Sequence, residues 1–240
     1  MNYKTIILSD IHLGSQYSRA NDVVNFLKNN KCEKLILNGD IIDGWALNRG
    51  SSWDENHMRC VRKILKISEE NDVVWVMGNH DDFLADFIPF NIGNVFIKRE
   101  MEHIGIDGKR YLVIHGDIFD VFIKDMKWLA KIGSVGYDLC LWLNKWYNKY
   151  REFVGLEYFS LSKVIKDSVK QATKYVGDFE THMVTYAKQN GYDGVICGHI
   201  HKAEISVIDG INYMNSGDWV ESKTALVETN DGEWLIINYH

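Results

Sequence analysis

The chain has 240 residues, of which 46% are apolar and 25% charged, with a net charge of −6. That length suits one large domain or one domain carrying an insertion, and the apolar share fills a sizeable core. The acidic balance argues against a general nucleic-acid binder, whose phosphate contacts need a basic surface.

Cys32, Cys60, Cys140 and Cys197 lie far apart with no C-x-x-C pair. Neither a disulfide framework nor a thiolate zinc site is expected, and a reducing cytoplasm suits them. The first apolar run starts almost at Met1, so no secretory leader is expected. The most apolar stretch, Val121 to Leu143, is interrupted by Lys124, Lys127 and Lys131. It falls short of the roughly 18 uncharged residues a spanning helix needs.

In chain order, Thr5–Ser9 predicts a strand and Arg19–Asn29 a helix, with Val23, Phe26 and Leu27 at helical spacing. A strand follows at Leu35–Leu37, then a helix near Glu55–Glu70 with Val61, Ile64, Leu65 and Ser68 on one stripe, then a strand at Val73–Met77. This β-α-β order implies a largely parallel, buried sheet. After a strand at Arg110–Ile114 come long helical patterns at about Phe122–Phe153 and Ser160–Tyr175. A helix at Phe179–Gln189 then leads to a strand at Gly194–Cys197. Short strands at Glu204–Ile208, Tyr213–Asn215, Thr224–Glu228 and Glu233–Asn238 alternate with turn signals at Asp209-Gly210 and Asp231-Gly232. They predict an antiparallel meander completing a second sheet.

Between Asp120 and Tyr175 ten Lys/Arg stand against six Asp/Glu, a local +4, and the stretch holds eleven of the thirty aromatic residues. The stretch is a compositional island, and it fits a helical pair packed on its own tryptophans, Trp128, Trp142 and Trp146, with a solvated lysine face.

Five apolar runs (TIIL, KLIL, VVWVM, YLVI, GVIC) each end in residues able to bind metal. These are Asp10 and His12, then Asp40, Asn79, His115, and finally His199 and His201. In open α/β sheets, ligand sites form outside the carboxyl ends of the strands, so these scattered positions can meet. Two divalent ions about 3.5–4 Å apart can neutralise a phosphoester and generate a nucleophile, and an anionic bridge must hold them that close. Asp40 is the candidate bridge. A His, Asp and Asn set suits Mn, Fe or Zn. Gly39, Gly78, Gly116 and Gly198 adjoin four of the ligands and allow close backbone approach. A lone Asp or His at a strand end is usually a turn residue, but five ordered blocks are hard to attribute to turns alone. His57, His103, His182 and His240 read as surface or packing residues. Asp81, Asp117 and Asp218 read as hydrogen-bonded supports or turns, and Trp45 and Trp219 as packing.

The ordered series D-x-H, G-D-x-x-D, G-N-H-D, H-G-D and G-H-x-H resembles the calcineurin-like metallophosphoesterase superfamily over nearly the whole chain. The resemblance implies an α/β fold, a four-layer α/β/β/α sandwich with a helical cap inserted at about residues 120–176. It implies two divalent ions, one on Asp10, His12, Asp40 and His201 and the other on Asp40, Asn79, His115 and His199. It makes His80 the catalytic acid and Asp43 its support.

Within the superfamily the island is similar to the cap of the UDP-2,3-diacylglucosamine hydrolases of lipid A biosynthesis. These cut a pyrophosphate to give UMP and an acylated sugar 1-phosphate. That likeness implies substrate contacts from Asn79, His80, Ser160, Lys163, Lys166 and Lys170, and peripheral contact with the inner face of the membrane. The donor set is expected to hold manganese, with iron or zinc as alternatives, and the acidic balance implies no nucleic-acid partner. The chain departs from that branch at His80, where arginine is usual, and at Lys202-Ala203, where x-Pro is usual. The alternatives are a metallophosphoesterase for another small nucleotide or phosphodiester, and a non-catalytic interaction module on the same fold.

Overall fold

The structure is a computed structural model that describes residues 1–118, 147–148, 151, 155 and 179–240. Apart from residues 147–148 and 151, which are helical, the helices expected at Phe122–Phe153 and Ser160–Tyr175, with Ser160, Lys163, Lys166 and Lys170, lie outside the described residues. The chain divides into two compact units, one made of Met1–Asp117 with Thr181–His240 and the other of Ile118–Glu180.

The larger unit is built from two mixed sheets. Strands β1 (Asn2–Leu8), β2 (Lys31–Asn38) and β3 (Asp72–Val76) run parallel in the middle of the first. Their C-terminal halves, Ile6–Leu8, Leu35–Leu37 and Val73–Val76, are apolar because both faces are covered there. Ile6, Leu8, Leu35, Leu37, Val73 and Trp75 pack in the cluster that also holds residues of helices α1 (Ala20–Asn29) and α3 (Glu55–Ser68). Ile7, Ile36 and Val76 point the other way, against Val113, Ile196 and Met214 of the second sheet. Alternation along one strand therefore feeds two separate cores.

Helix α1 buries Val23, Val24, Phe26 and Leu27. Helix α3 starts in a capping box, in which Asp54 accepts the His57 N–H and the His57 ring accepts the Asp54 N–H. His57 is thus a buried packing residue, whereas Leu65 of the expected stripe is 38% exposed. A short helix α2 (Gly44–Asn48) lies between β2 and α3.

Between Met77 and Arg110 the structure contains elements with little sequence periodicity: a 3-10 turn at Asp82–Phe87 and strands β4 (Phe90–Ile92), β5 (Val95–Lys98) and β6 (Glu100–Ile104). β5 extends the first sheet parallel to β3, and β4 pairs antiparallel on its edge. The second sheet is ordered β6, β7 (Arg110–Ile114), β8 (Gly194–Cys197), β10 (Ile211–Asn215), β9 (Glu204–Ile208), with β7, β8 and β10 parallel. Residues 179–189 are helical and bury Met183, Val184 and Ala187 ahead of β8.

The expected C-terminal meander is not one sheet. β9 and β10 close the second sheet, but β11 (Thr224–Glu228) and β12 (Trp234–Asn238) join the first, with β11 antiparallel to β1. The turn after β10 carries the chain across. Asp218 accepts the N–H groups of Val220, Glu221 and Ser222 there, and Trp219 is fully buried in the helix-side core. The sheets are also tied across the sandwich by a buried pair, His103 of β6 and Glu228 of β11, 3.0 Å apart. Among the described residues no helix is long and apolar enough to cross a membrane.

Candidate metal centre

Beyond the ends of β1 and β2 the two chains stay zipped by main-chain hydrogen bonds: Asp10 N–H to Gly39 O, His12 N–H to Asp40 O, and Leu13 N–H to Ile41 O (2.8–3.0 Å). Here the backbone leaves the extended region. Asp10, His12, Asp40, His199 and His201 all have left-handed φ, between 52° and 69°; among the described residues only Asp209 and Lys223 share this without being glycine. Each such residue costs on the order of 1–3 kcal/mol unless its surroundings enforce it, and such strain clusters at functional sites.

The side chains converge. Asp10, His12 and His201 have ligand atoms within 4.8 Å of one another, as do Asp40, His115 and His199, and as do His12, Asp40 and His80. Each of the two central carboxylates uses one oxygen on a main-chain N–H and turns the other to imidazoles. Asp10 Oδ2 accepts from His199 N (3.1 Å), while Oδ1 lies 3.1 Å from His201 Nε2 and 3.9 Å from His12 Nε2. Asp40 Oδ1 accepts from His80 N (2.8 Å), while Oδ2 is 3.3 Å from His115 Nε2 and 3.9 Å from Nε2 of both His12 and His80.

The polar accounting points to cations. Asp10 Oδ1, His115 Nε2 and both polar side-chain atoms of Asn79 are buried without a hydrogen-bond partner. Buried polar atoms are nearly always satisfied, so a cluster of exceptions calls for a missing partner. A divalent ion satisfies carboxylate oxygen, amide oxygen and imidazole nitrogen alike, so the residues present fit two such ions.

Glycine clears the space. A Cβ on Gly78 would overlap Asp40 Oδ1 and lie 2.5 Å from the Asp40 N and 2.8 Å from His115 Cδ2. At Gly39, with φ of 84°, a Cβ would run into the His115 ring.

Electrostatics follow from this crowding. Burial pushes the Asp40 carboxyl up, but His115, His12 and His80 outweigh it and hold it well below the usual range. Asp10 is likewise lowered against its burial by His115 and His201. Burial works to lower His12, His115 and His201, yet the surrounding carboxylates raise all three.

Asp43 caps α2 through Ala46 N (2.7 Å) and faces two rings, His80 Nδ1 at 2.8 Å and His12 Nδ1 at 3.6 Å. Burial raises its carboxyl, and the hydrogen bonds from His12 and His80 carry it well below its ordinary value. Burial lowers His80, with Asp40 and Asp43 opposing.

Asp81 is a hydrogen-bonded support as its motif implied, and Asn38 is one that the motifs did not single out. Asp81 accepts from Ile41 N, Ile42 N, Gly78 N and Trp75 Nε1 (2.8–3.3 Å), pinning the Asp40 loop to the G-N-H-D turn. Asn38 takes the Nδ1 hydrogen of His115 on its carbonyl (2.8 Å) while its amide reaches Ile114 O and Ile196 O of the second sheet. The signal for Asn38 was a polar residue closing a buried strand.

Paired ligand clusters meeting on a shared carboxylate, at the strand ends of a double-sheet α/β fold, define the class of metal-dependent phosphoester hydrolases. The chain belongs to the calcineurin-like phosphoesterase family, whose model matches residues 3–203. It is 24% identical over 152 residues to the DNA polymerase II small subunit of Methanothermobacter thermautotrophicus, a match covering 50% of this chain and 32% of that protein. The chain therefore aligns with about a third of that curated relative's length.

Among solved structures it resembles a hypothetical protein of Pyrococcus horikoshii OT3, with TM-score 0.52 and 10% identity, covering 100% of this chain and 88% of the other. It also resembles the phosphoesterase YfcE of E. coli, with TM-score 0.46 and 12% identity, covering 98% and 99%.

Proposed function

We propose that the protein hydrolyses a phosphoester or pyrophosphate bond with two divalent ions, one held by Asp10, His12, Asp40 and His201 and the other by Asp40, Asn79, His115 and His199. The observation that carries this is the single oxygen Asp40 Oδ2, within 3.9 Å of Nε2 of three histidines. Bound there, the ions supply positive charge to the phosphoryl oxygens and make a water nucleophilic near neutral pH.

The chain's own groups do the rest. Asp43 stays ionised and accepts the Nδ1 hydrogen of His80, which leaves Nε2 as the edge that gives a proton to the departing oxygen. Donation from Nε2 leaves a neutral ring already held in the correct tautomer by Asp43. Asp10 and Asp40 hold their imidazole-facing oxygens still because their other oxygens are tied to main-chain N–H groups.

For the substrate we propose a nucleotide-activated acylated sugar of the UDP-2,3-diacylglucosamine type, split to UMP and the acylated sugar 1-phosphate. Manganese is the preferred ion, and the location is cytoplasmic with peripheral membrane contact. The support is the ordered motif series together with the basic, aromatic stretch Asp120–Tyr175, which suits a pyrophosphate with acyl chains. A second reading, a smaller nucleotide or phosphodiester, is favoured by His80 and by Lys202-Ala203, the two departures from that branch.

The test is a panel of acylated and unacylated UDP-sugars and a simple aryl phosphodiester, assayed with manganese for UMP or phenol release on protein of measured metal content. Faster cleavage of the acylated substrate is expected. Equal rates on both sugars remove the lipid substrate, and activity untouched by chelation removes the metal mechanism.

A further inference from the structure

The turn that delivers Asp43 also delivers an indole. Gly44 N–H donates to His80 O (3.1 Å), and a Cβ on Gly44 would meet His80 O at 2.9 Å and the Phe83 ring at 2.8 Å. The start of α2 is therefore pressed against the His80 main chain. One residue on, the half-buried Trp45 lays its indole on the His80 imidazole, with centroids 4.1 Å apart and planes 34° from parallel. His12 meets the same ring edge-on at 4.6 Å and 89°.

A histidine χ2 is broad and roughly two-fold, so one hydrogen bond at Nδ1 leaves the ring free to rock about that contact. A flat surface on its face removes that freedom. We infer that Trp45 is a positioning residue for the reaction, holding the His80 ring so that Nε2 stays aimed at the leaving oxygen. This rests on the reading of His80 as the proton donor. Trp45 touches neither substrate nor reacting atoms in this role; it acts through His80.

The discriminating kinetic readout is the dependence on leaving-group basicity. A misaimed acid matters for a basic leaving oxygen, such as phenolate, and hardly at all for 4-nitrophenolate, which departs without a proton. Manganese-loaded wild type, Trp45→Ala, Trp45→Leu and Trp45→Phe are compared on aryl phosphodiesters. Roughly a tenfold loss of kcat, about 1.4 kcal/mol, is expected for Ala and Leu on the phenyl substrate. Little loss is expected on the 4-nitrophenyl substrate, and Phe should restore most of the activity. In a His80→Gln background the Trp45 substitutions should cost nothing further. Equal loss across leaving groups, or loss that persists without His80, overturns the inference.

A second readout is independent of turnover. Crystal structures of wild type and Trp45→Leu should show one His80 ring orientation in the first and more than one in the second. The same single orientation in both overturns the inference. Should wild type cleave no member of the series, the hydrolase reading fails, while the ring orientations still decide the role of Trp45 as a support.

Discussion

His115 donates from Nδ1 to the main-chain carbonyl of Asn38, 2.8 Å away, and so turns its other nitrogen towards Asp40. The same Asn38 reaches across the sandwich with its amide to carbonyls of β7 and β8, 3.3 and 3.4 Å distant. One residue thus sets both a ligand's tautomer and the spacing of the two sheets beneath the site. Asn38→Ala leaves those carbonyls without the amide, at about 1–3 kcal/mol. It keeps the main-chain carbonyl that accepts from His115, so metal affinity should change little. Urea unfolding and a metal titration of the same variant check both.

Asp40 and His80 should separate cleanly. Asp40→Ala removes the oxygen that faces three imidazoles, so both bound metal and hydrolysis should be lost. His80→Ala leaves the proposed ligands in place, so metal content should hold while turnover falls by roughly 10²–10⁴-fold, the usual contribution of a general acid. Elemental analysis beside a kcat measurement distinguishes them. Loss of metal in the His80 variant would assign that ring to the ion cluster instead.

Metal uptake should release protons. The carboxylates raise His12, His115 and His201 above the ordinary imidazole value. Their protonated, non-ligating forms therefore persist to higher pH than in a free histidine, near 6.5. Metal must displace those protons, so apparent affinity should fall as pH is lowered through the raised folded values towards the ordinary imidazole value, near 6.5. Calorimetric titration in buffers of different ionisation enthalpy reads the proton count directly.

Glu228 predicts the acid limb of stability. Burial raises its carboxyl, but His103, the Ile106 N–H and the Thr5 hydroxyl outweigh burial and lower it. A lowered carboxylate contributes stability that is fully present above the unfolded-chain value, near 4.3. That contribution is lost as pH falls through the lower folded value. Glu228→Gln should destabilise the protein at neutral pH by about 1.5–3 kcal/mol and flatten the pH dependence below the unfolded-chain value. Chemical denaturation at several pH values measures it.

The sequence by itself determined the alternation of buried strands and helices, because the stretch of a strand covered on both faces must be apolar and the flanking helices must be amphipathic. It also marked Asp10, His12, Asp40, Asn79, His115, His199 and His201, because polar residues closing apolar runs leave a pattern that periodicity cannot hide. Only the tertiary structure decided where β11 and β12 go. Their antiparallel turns fit either sheet, and the choice follows from β11 pairing with β1, more than two hundred residues away. Only the tertiary structure could show the left-handed backbone at five of the candidate ligands, the two-ring contact of Asp43 and the seating of Trp45 on His80. Those depend on which strand ends lie side by side, and local sequence carries no energy term for contacts between segments that meet only after the sheets have formed.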